Sequence, residues 1–298
     1  MELFLERLII GLTNGSVYAL LALALVVVFR GTGTLNFAQG ELALFTTFIA
    51  WWLTTESFPV WIAIVAALLT GFVLGAMIER MLIRPVQRRN DMAVLIVALG
   101  LFTGLNSLAG VIWGSETKIM PSLFPNGLDD YVSLAGARLY YDALTVWGAL
   151  IVLLVLMTLL FRHTKLGLHM RAVADNSESA TLAGVRTSRI LAVGWGLSGA
   201  IGALAGVLVT PLAAEQLGLT TMFHIFIAAS AAALFGGLDS LVGAVVGGIT
   251  IGVLEAMLTG YVSFIGGALQ QTSALFIIVA ILFVRPNGLF GTKRVVRV

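Results

Sequence analysis

The side chains best suited to chemistry in this chain gather in one short stretch. GTGTLNFAQGELAL, Gly31 to Leu44, places Asn36, Gln39 and Glu41 within six residues, around Gly33 and Gly40, between two apolar runs. Two amides and a carboxylate can hydrogen-bond a polar solute, pass a proton, or partner backbone that turns back on itself. Such groups are costly at membrane depth, so a functional reading is the starting point. For Glu41 the two readings are a path-lining acid and a buried strut pinning the turn between the first two spans. Glu255, in GVLEAML, either lines a cavity or closes an interhelical hydrogen bond. Glu79 adjoins Arg80 at the end of an apolar run and reads as interfacial.

What is missing narrows the chemistry further. There is no cysteine, which removes disulfides, thiolate metal sites and a cysteine nucleophile. His163, His169 and His224 include no i, i+4 pair of the kind that holds a metal on a helix. GLFGTKR, at 288–294, has the wrong spacing for a phosphate loop and follows no strand. No G-x-S-x-G elbow, paired-carboxylate site or histidine triad is present. The expectation is a non-catalytic chain without cofactor or metal, in which any ATP is handled by another subunit.

Those residues have to be positioned by membrane helices. Of the 298 residues, 59% are apolar and 11% charged, and the mean hydropathy is +1.03. A soluble domain carries about a quarter charged residues. Apolar runs cover Leu8–Phe29, Phe37–Leu53, Val60–Leu82, Met92–Trp113, Leu144–Phe161, Ile190–Pro211, Phe223–Phe235, Gly243–Leu258 and Ala268–Val284. The first spans about 33 Å as a helix, enough for a hydrocarbon core of about 30 Å. Phe223–Phe235 is too short to cross, so it and its neighbour read as half-helices or a re-entrant pair. The expected architecture is all-α: one transmembrane domain, residues 1–298, of about eight helices. MELFLERLIIGLTNGSVYAL lacks a basic leader and a cleavage site, and reads as a retained first helix.

Basic residues set the expected orientation. Arg30 follows the first span, and Arg80, Arg84, Arg88 and Arg89 follow the third. Arg162, Lys165, Arg171, Arg186 and Arg189 follow the fifth, while Arg285, Lys293, Arg294 and Arg297 follow the last. Fourteen of the 17 basic residues thus fall on one side. The long loop 114–142, with Glu116, Asp129, Asp130 and Asp142 against Lys118 and Arg138, falls on the other. The N-terminus is expected outside and the C-terminus in the cytoplasm. The pI of about 9.1 is therefore a topology signal, and nucleic acid is not an expected partner. Seven GxxxG pairs, from Gly11/Gly15 to Gly248/Gly252, point to closely packed helices, since small residues let backbones approach in lipid.

On the basic side lies RHTKLGLHMRAVADNSESATLAGVRTSRI, residues 162–190. Ser177–Ala183 predicts a short helix. Asp175 and Glu178 are placed as a capping box, Gly184 as a left-handed stop, and Ala180 and Ala183 as small residues on display. So short a helix is not stable alone in water, which predicts that it docks on a partner.

At these residues the chain resembles a known family. Glu178, Ala180 and Gly184 match E-x-A-x-x-x-G, similar to the coupling-helix motif of ABC importer permeases. RAVADNSESATLAGV resembles the form found in permeases of branched-chain amino-acid importers. GLTNGSVYALLALALVVVF with LNFAQGE, GLSGAIGALAGVL at 196–208, FGGLDSLVGAVVGG at 235–248 and RPNGLFG at 285–291 extend the likeness in order along nearly the whole chain. It is nearer the shorter of the two permeases such importers use. Gln39 stands where that family commonly has histidine, and the L-P ending of the wider coupling motif is absent.

The resemblance implies a permease working with a second homologous permease, two cytoplasmic ATPase subunits that bind the ATP, and an extracytoplasmic binding protein. All would assemble at the cytoplasmic (inner) membrane of a bacterium or archaeon. Its substrates would be branched-chain amino acids or related small polar solutes such as urea, short amides or carboxylates. Asp175, Glu178, Ala180, Ala183 and Gly184 would form the ATPase-coupling helix in the 162–189 loop. Asn36, Gln39, Gly40 and Glu41, with Glu255, would line or shape the path. A secondary transporter moving protons through Glu41 and Glu255 is the alternative, and a passive channel a third reading.

Overall fold

The computed structural model describes residues 2–32, 35–87, 91–125, 127, 129–134, 136–212, 216–262 and 288–291. They form a mostly helical bundle whose elements follow chain order. The first are α1 (Glu2–Thr32), α2 (Gln39–Thr55) and α3 (Val60–Ile78), which runs through a π turn (Glu79–Ile83) into α4 (Arg84–Gln87). Then come α5 (Asp91–Trp113), strands β1 (Tyr131–Leu134) and β2 (Ala137–Tyr140), α6 (Tyr141–His163), α7 (Lys165–Asp175), α8 (Ser177–Leu182), α9 (Thr187–Val209), α10 (Thr221–Gly236) and α11 (Leu241–Tyr261).

Six of the described helices are long and apolar enough to cross a bilayer, fewer than the expected eight. The expected final span, Ala268–Val284, lies outside the described residues. Two apolar runs became shorter helices. α2 has 17 residues and opens on the polar turn Gln39–Glu41, and α10 has 16. The expected half-helix pair is corrected on one side: α10 is short, but its neighbour α11 continues for 21 residues and is of crossing length. The 237–240 turn between them is shaped by Gly237 at φ +101°.

α1 is the axis of the bundle. Its stretch Leu20–Leu25 is entirely enclosed, among α11, α9, α10 and α6. The close α1–α11 approach depends on absent side chains: a methyl on Gly11 would sit 2.7 Å from Val253 Cα, and one on Gly15 2.8 Å from the Gly248 carbonyl oxygen. α3 uses the same device with a clear division of faces. Ala63, Ala67, Gly71 and Gly75 are buried, the two glycines directly on α9, while Val65, Leu69, Val73 and Met77 are exposed on the other side. That is the pattern of a helix with one face on protein and one on lipid. The Gly100/Gly104 pair of α5, by contrast, meets nothing within 4 Å.

Two loops carry structure that the periodicity did not predict. In the 114–142 loop, β1 and β2 pair antiparallel from Tyr131↔Tyr140 to Leu134↔Ala137, and the Ser122 hydroxyl donates to Asp142. The 162–189 loop contains α7 as well as α8. α7 is amphipathic, burying Gly167, Met170 and Val173, and Thr164 caps it through the Gly167 N–H at 3.0 Å.

Candidate functional site

Asn36, Gln39 and Glu41 come together at the start of α2 but do different things. The Asn36 side chain accepts from the Ala38 N–H at 3.1 Å, forming an Asx turn that launches the helix. Its amide donates to Gln39 Oε1 at 3.2 Å. Gln39, 0% exposed, donates through Nε2 to the Ser198 carbonyl of α9 at 3.0 Å. Ser198 Oγ lies 2.7 Å from Gln39 Oε1 and 2.8 Å from the Ala24 carbonyl of α1. Its single proton serves one of them at a time. Gly202 leaves the room for this, since a methyl there would stand 2.5 Å from Gln39 Nε2. The cluster ties α1, α2 and α9 together with every amide group partnered, so it braces the unwound backbone between α1 and α2. Gly40 lets α2 approach α10, where a methyl would meet Phe226 Cβ at 2.9 Å. Gly33 lies outside the described residues.

Glu41, two residues further on, faces elsewhere. It too is 0% exposed, and its Oε2 accepts from Asn106 Nδ2 of α5 at 2.8 Å. The same amide nitrogen is 2.8 Å from the Leu219 carbonyl just before α10. Glu41 Oε1 has no hydrogen-bond partner among the described residues. The position in the first turn of α2 favours a negative group through the helix dipole, but no cation among the described residues forms an ion pair with it. A buried carboxylate oxygen without a partner is costly and calls for an explanation.

Glu255 is buried in α11 and accepts from the Tyr18 hydroxyl of α1 at 2.8 Å, so it closes an α1–α11 hydrogen bond. That matches one of its two expected readings.

Glu79 is enclosed by protein. It is 0% exposed at the start of the π turn, and its partner is Arg84 rather than the adjacent Arg80. Arg84 Nε donates to Oε1 at 3.0 Å and Nη2 to Oε2 at 2.5 Å, a bidentate fork. Nη2 also donates to the Ser188 carbonyl in the first turn of α9 at 2.7 Å. The π turn sets this geometry, since i and i+5 face each other only where the helix is widened.

The short helix expected at Ser177–Ala183 is α8, Ser177–Leu182. Its cap is Asn176, whose side chain accepts from the Ser179 N–H at 2.8 Å, and not Asp175, which ends α7. Two good capping residues stand side by side, and α7 extends far enough to consume the first. At the other end Gly184 has φ +83°, and the Gly184 N–H→Thr181 and Val185 N–H→Ala180 bonds make a Schellman stop, as expected of that glycine. Ala180 is not on display: at 5% exposure it is the residue by which α8 rests on the chain's own α7 and α9. Ala183 and Gly184 are exposed, and the large apolar side chain α8 presents is Leu182, 87% exposed.

Sequence reading missed the partners: Asn106, Ser198, Arg84 and Tyr18. Asn106 had a signal, as the one amide within the apolar run of α5. Ser198 had none, because a serine in a helical apolar run usually bonds its own backbone.

Comparison with known proteins gives the arrangement its context. A family model described as "Branched-chain amino acid transport system / permease component" matches residues 7–285. The chain is 28% identical to the high-affinity branched-chain amino acid transport system permease protein LivH of Escherichia coli (strain K12), covering 99% of this chain and 98% of that one. It is 29% identical to the corresponding permease protein BraD of Pseudomonas aeruginosa, covering 99% and 98%. The ribose import permease protein RbsC of Haemophilus influenzae is 24% identical, with 95% and 85% covered. Among solved structures, PsaBC from Streptococcus pneumoniae in complex with Fab superposes with a TM-score of 0.51 at 15% identity, over 95% of this chain and 92% of that chain, a likeness of fold alone.

Proposed function

We propose, since the chain belongs to the branched-chain amino-acid transport permease family, that it forms one half of the path of an ATP-driven importer. Its solutes are branched-chain amino acids or related small polar molecules. α8 faces the cytoplasm and docks on an ATPase subunit, and a second, homologous permease completes the path. A binding protein on the outer side delivers the solute. The N-terminus lies outside and the C-terminus inside, in a bacterial or archaeal cytoplasmic membrane, as the basic residues suggest.

One observation carries the reading. α8 is a six-residue helix, capped at both ends by its own chain, that presents Leu182 at 87% exposure beside Ala183 and Gly184. A helix this short persists only because α7 and α9 hold it. An isolated leucine so displayed on a rigid mount suits insertion into a partner's apolar pocket. Glu41, with Asn106 and Leu219 O beside it, supplies the polar group of the path, while Asn36 and Gln39 shape the turn that places it. Weak contact with solute suffices, because tight binding midway slows release.

The test is Leu182→Arg, with Gly184→Trp as a second variant. The expected outcome is loss of ATPase co-purification with permease still present in the membrane. ATPase retained by both variants overturns the docking assignment. Uptake that survives ATP depletion but collapses with an ionophore would instead select a proton-coupled transporter.

A further inference from the structure

A cleft of about 330 Å³ opens where α1 and α6 end beside the middle of α7 and the start of α11. Three of its lining residues are arginines, Arg30, Arg162 and Arg171, and one is an acid, Asp239. None of them belongs to the polar cluster at α2, the Glu79–Arg84 pair or α8.

Ordinary structural needs explain part of this charge. Arg30 and Arg162 stand in the last turns of α1 and α6, where a cation complements the helix dipole. Arg30 also lies 5.1 Å above the Phe161 ring and within electrostatic reach of Asp239 and Arg171. Arg171 is mid-helix in α7, on the exposed side, and no helix end accounts for it. With Asp239 set against the three arginines, the described lining residues keep a formal excess of two positive charges. The fourth wall is the start of α11, where the Ser240 hydroxyl already accepts from the Gly243 N–H at 3.0 Å and the Leu241 and Val242 amides are left without an intrahelical acceptor. Three arginines lining one cleft beside a helix start suit a tetrahedral oxyanion.

The surroundings indicate where such an anion comes from. Val242, 51% exposed, and Phe290, 48% exposed, form the exposed apolar part of the lining, beside the buried Phe161 and Leu241. Leu156 and Leu159 of α6 are also exposed nearby in sequence. An arginine-lined cleft among helix ends, with apolar side chains continuing up the helices, fits a headgroup with its acyl chains alongside.

We propose that this cleft binds a phosphate-bearing anion, either the headgroup of an anionic phospholipid of the inner leaflet or a free phosphate ester. Its occupant bridges α1, α6, α7 and α11, and so ties the axis of the bundle to the helix that leads into α8.

The test uses the full chain with its co-purified partners, stripped of lipid in a neutral detergent. The melting midpoint is followed through separate titrations with phosphatidylglycerol, phosphatidylcholine and glycerol phosphate. The wild type is compared with Arg162→Gln/Arg171→Gln, two exposed positions, and with Asp239→Asn. Phosphatidylglycerol should bind the double variant about thirty-fold more weakly, each surface cation contributing on the order of five-fold. Asp239→Asn should shift affinity the other way, by about five-fold on the same reasoning. An arginine-dependent response to glycerol phosphate as strong as that to phosphatidylglycerol identifies the free ester as the source. Equal binding of phosphatidylcholine and phosphatidylglycerol overturns the site. So does a response unchanged in both variants.

Discussion

Glu41 and Glu79 are both carboxylates with no solvent exposure, and they are satisfied in opposite ways. Glu79 is met by a bidentate guanidinium that also holds the Ser188 carbonyl. Glu41 receives one amide on one oxygen and, among the described residues, nothing on the other. Burial alone therefore says little about role. A carboxylate whose charge and lone pairs are both met is a fastening. One left half-met is costly to keep, and keeping it makes sense where a passing group completes it. The fastening also sits in a telling place. Arg84 joins the π turn after α3 to the first turn of α9, the helix that follows α8.

The largest expected effect breaks the fastening. Arg84→Ala leaves Glu79 buried without a counter-charge, at a cost of about 3–5 kcal/mol. Thermal unfolding in detergent should fall accordingly, and Glu79→Gln/Arg84→Met should recover most of the loss because neither charge then remains. A single variant as stable as wild type would place Glu79 with Glu41 and dissolve the contrast.

The middle effect concerns Glu41. Glu41→Gln keeps an acceptor for Asn106 and removes a poorly compensated charge, so stability should change by less than about 1 kcal/mol. Uptake should drop about ten-fold or more, the equivalent of one lost hydrogen bond to a charged group. Measuring unfolding and uptake on the same preparation separates the roles. If stability falls and uptake per folded molecule does not, Glu41 is a strut like Glu79.

How far these roles were readable in advance differs by kind of interaction. The long helices announce themselves because a bilayer demands about 20 apolar residues in a row. Gly184 marked the end of α8 because one residue type dominates left-handed backbone. Glu41 stood out as an acid in apolar sequence, and Glu255 proved to be the interhelical hydrogen bond that was one of its two readings. What decides between strut and site is partner identity, and partners are tertiary. Asn106 lies 65 residues from Glu41, and Ser198 lies 159 from Gln39. Arg84 was close in sequence but hidden by the π turn, since α-helical spacing pairs i with i+4 rather than i+5. Ala180 was misread for a related reason: a small residue permits close packing, but sequence does not say whether the neighbour is another protein or the same one.

The smallest expected effect tests whether Gln39 belongs wholly with the fastenings. Gln39 accepts from Asn36 and donates to Ser198 O, so its amide uses both ends. A neutral histidine also offers one donor and one acceptor, and it is the residue that permeases resembling this chain commonly carry there. Gln39→His can keep the donor to the Ser198 carbonyl while its second nitrogen replaces Oε1 toward Asn36 or the Ser198 hydroxyl, which already divides its proton between two acceptors. The expected cost is about 1 kcal/mol, one neutral hydrogen bond, with uptake unchanged between pH 7 and 8. At lower pH the imidazolium loses its acceptor and becomes a second donor, against which the Ser198 hydroxyl can still accept but the Asn36 amide cannot. Unfolding of the variant relative to wild type should then become easier as pH falls through the histidine range. If uptake rather than stability follows that titration, position 39 faces the solute, and the division between brace and path moves two residues upstream of Glu41.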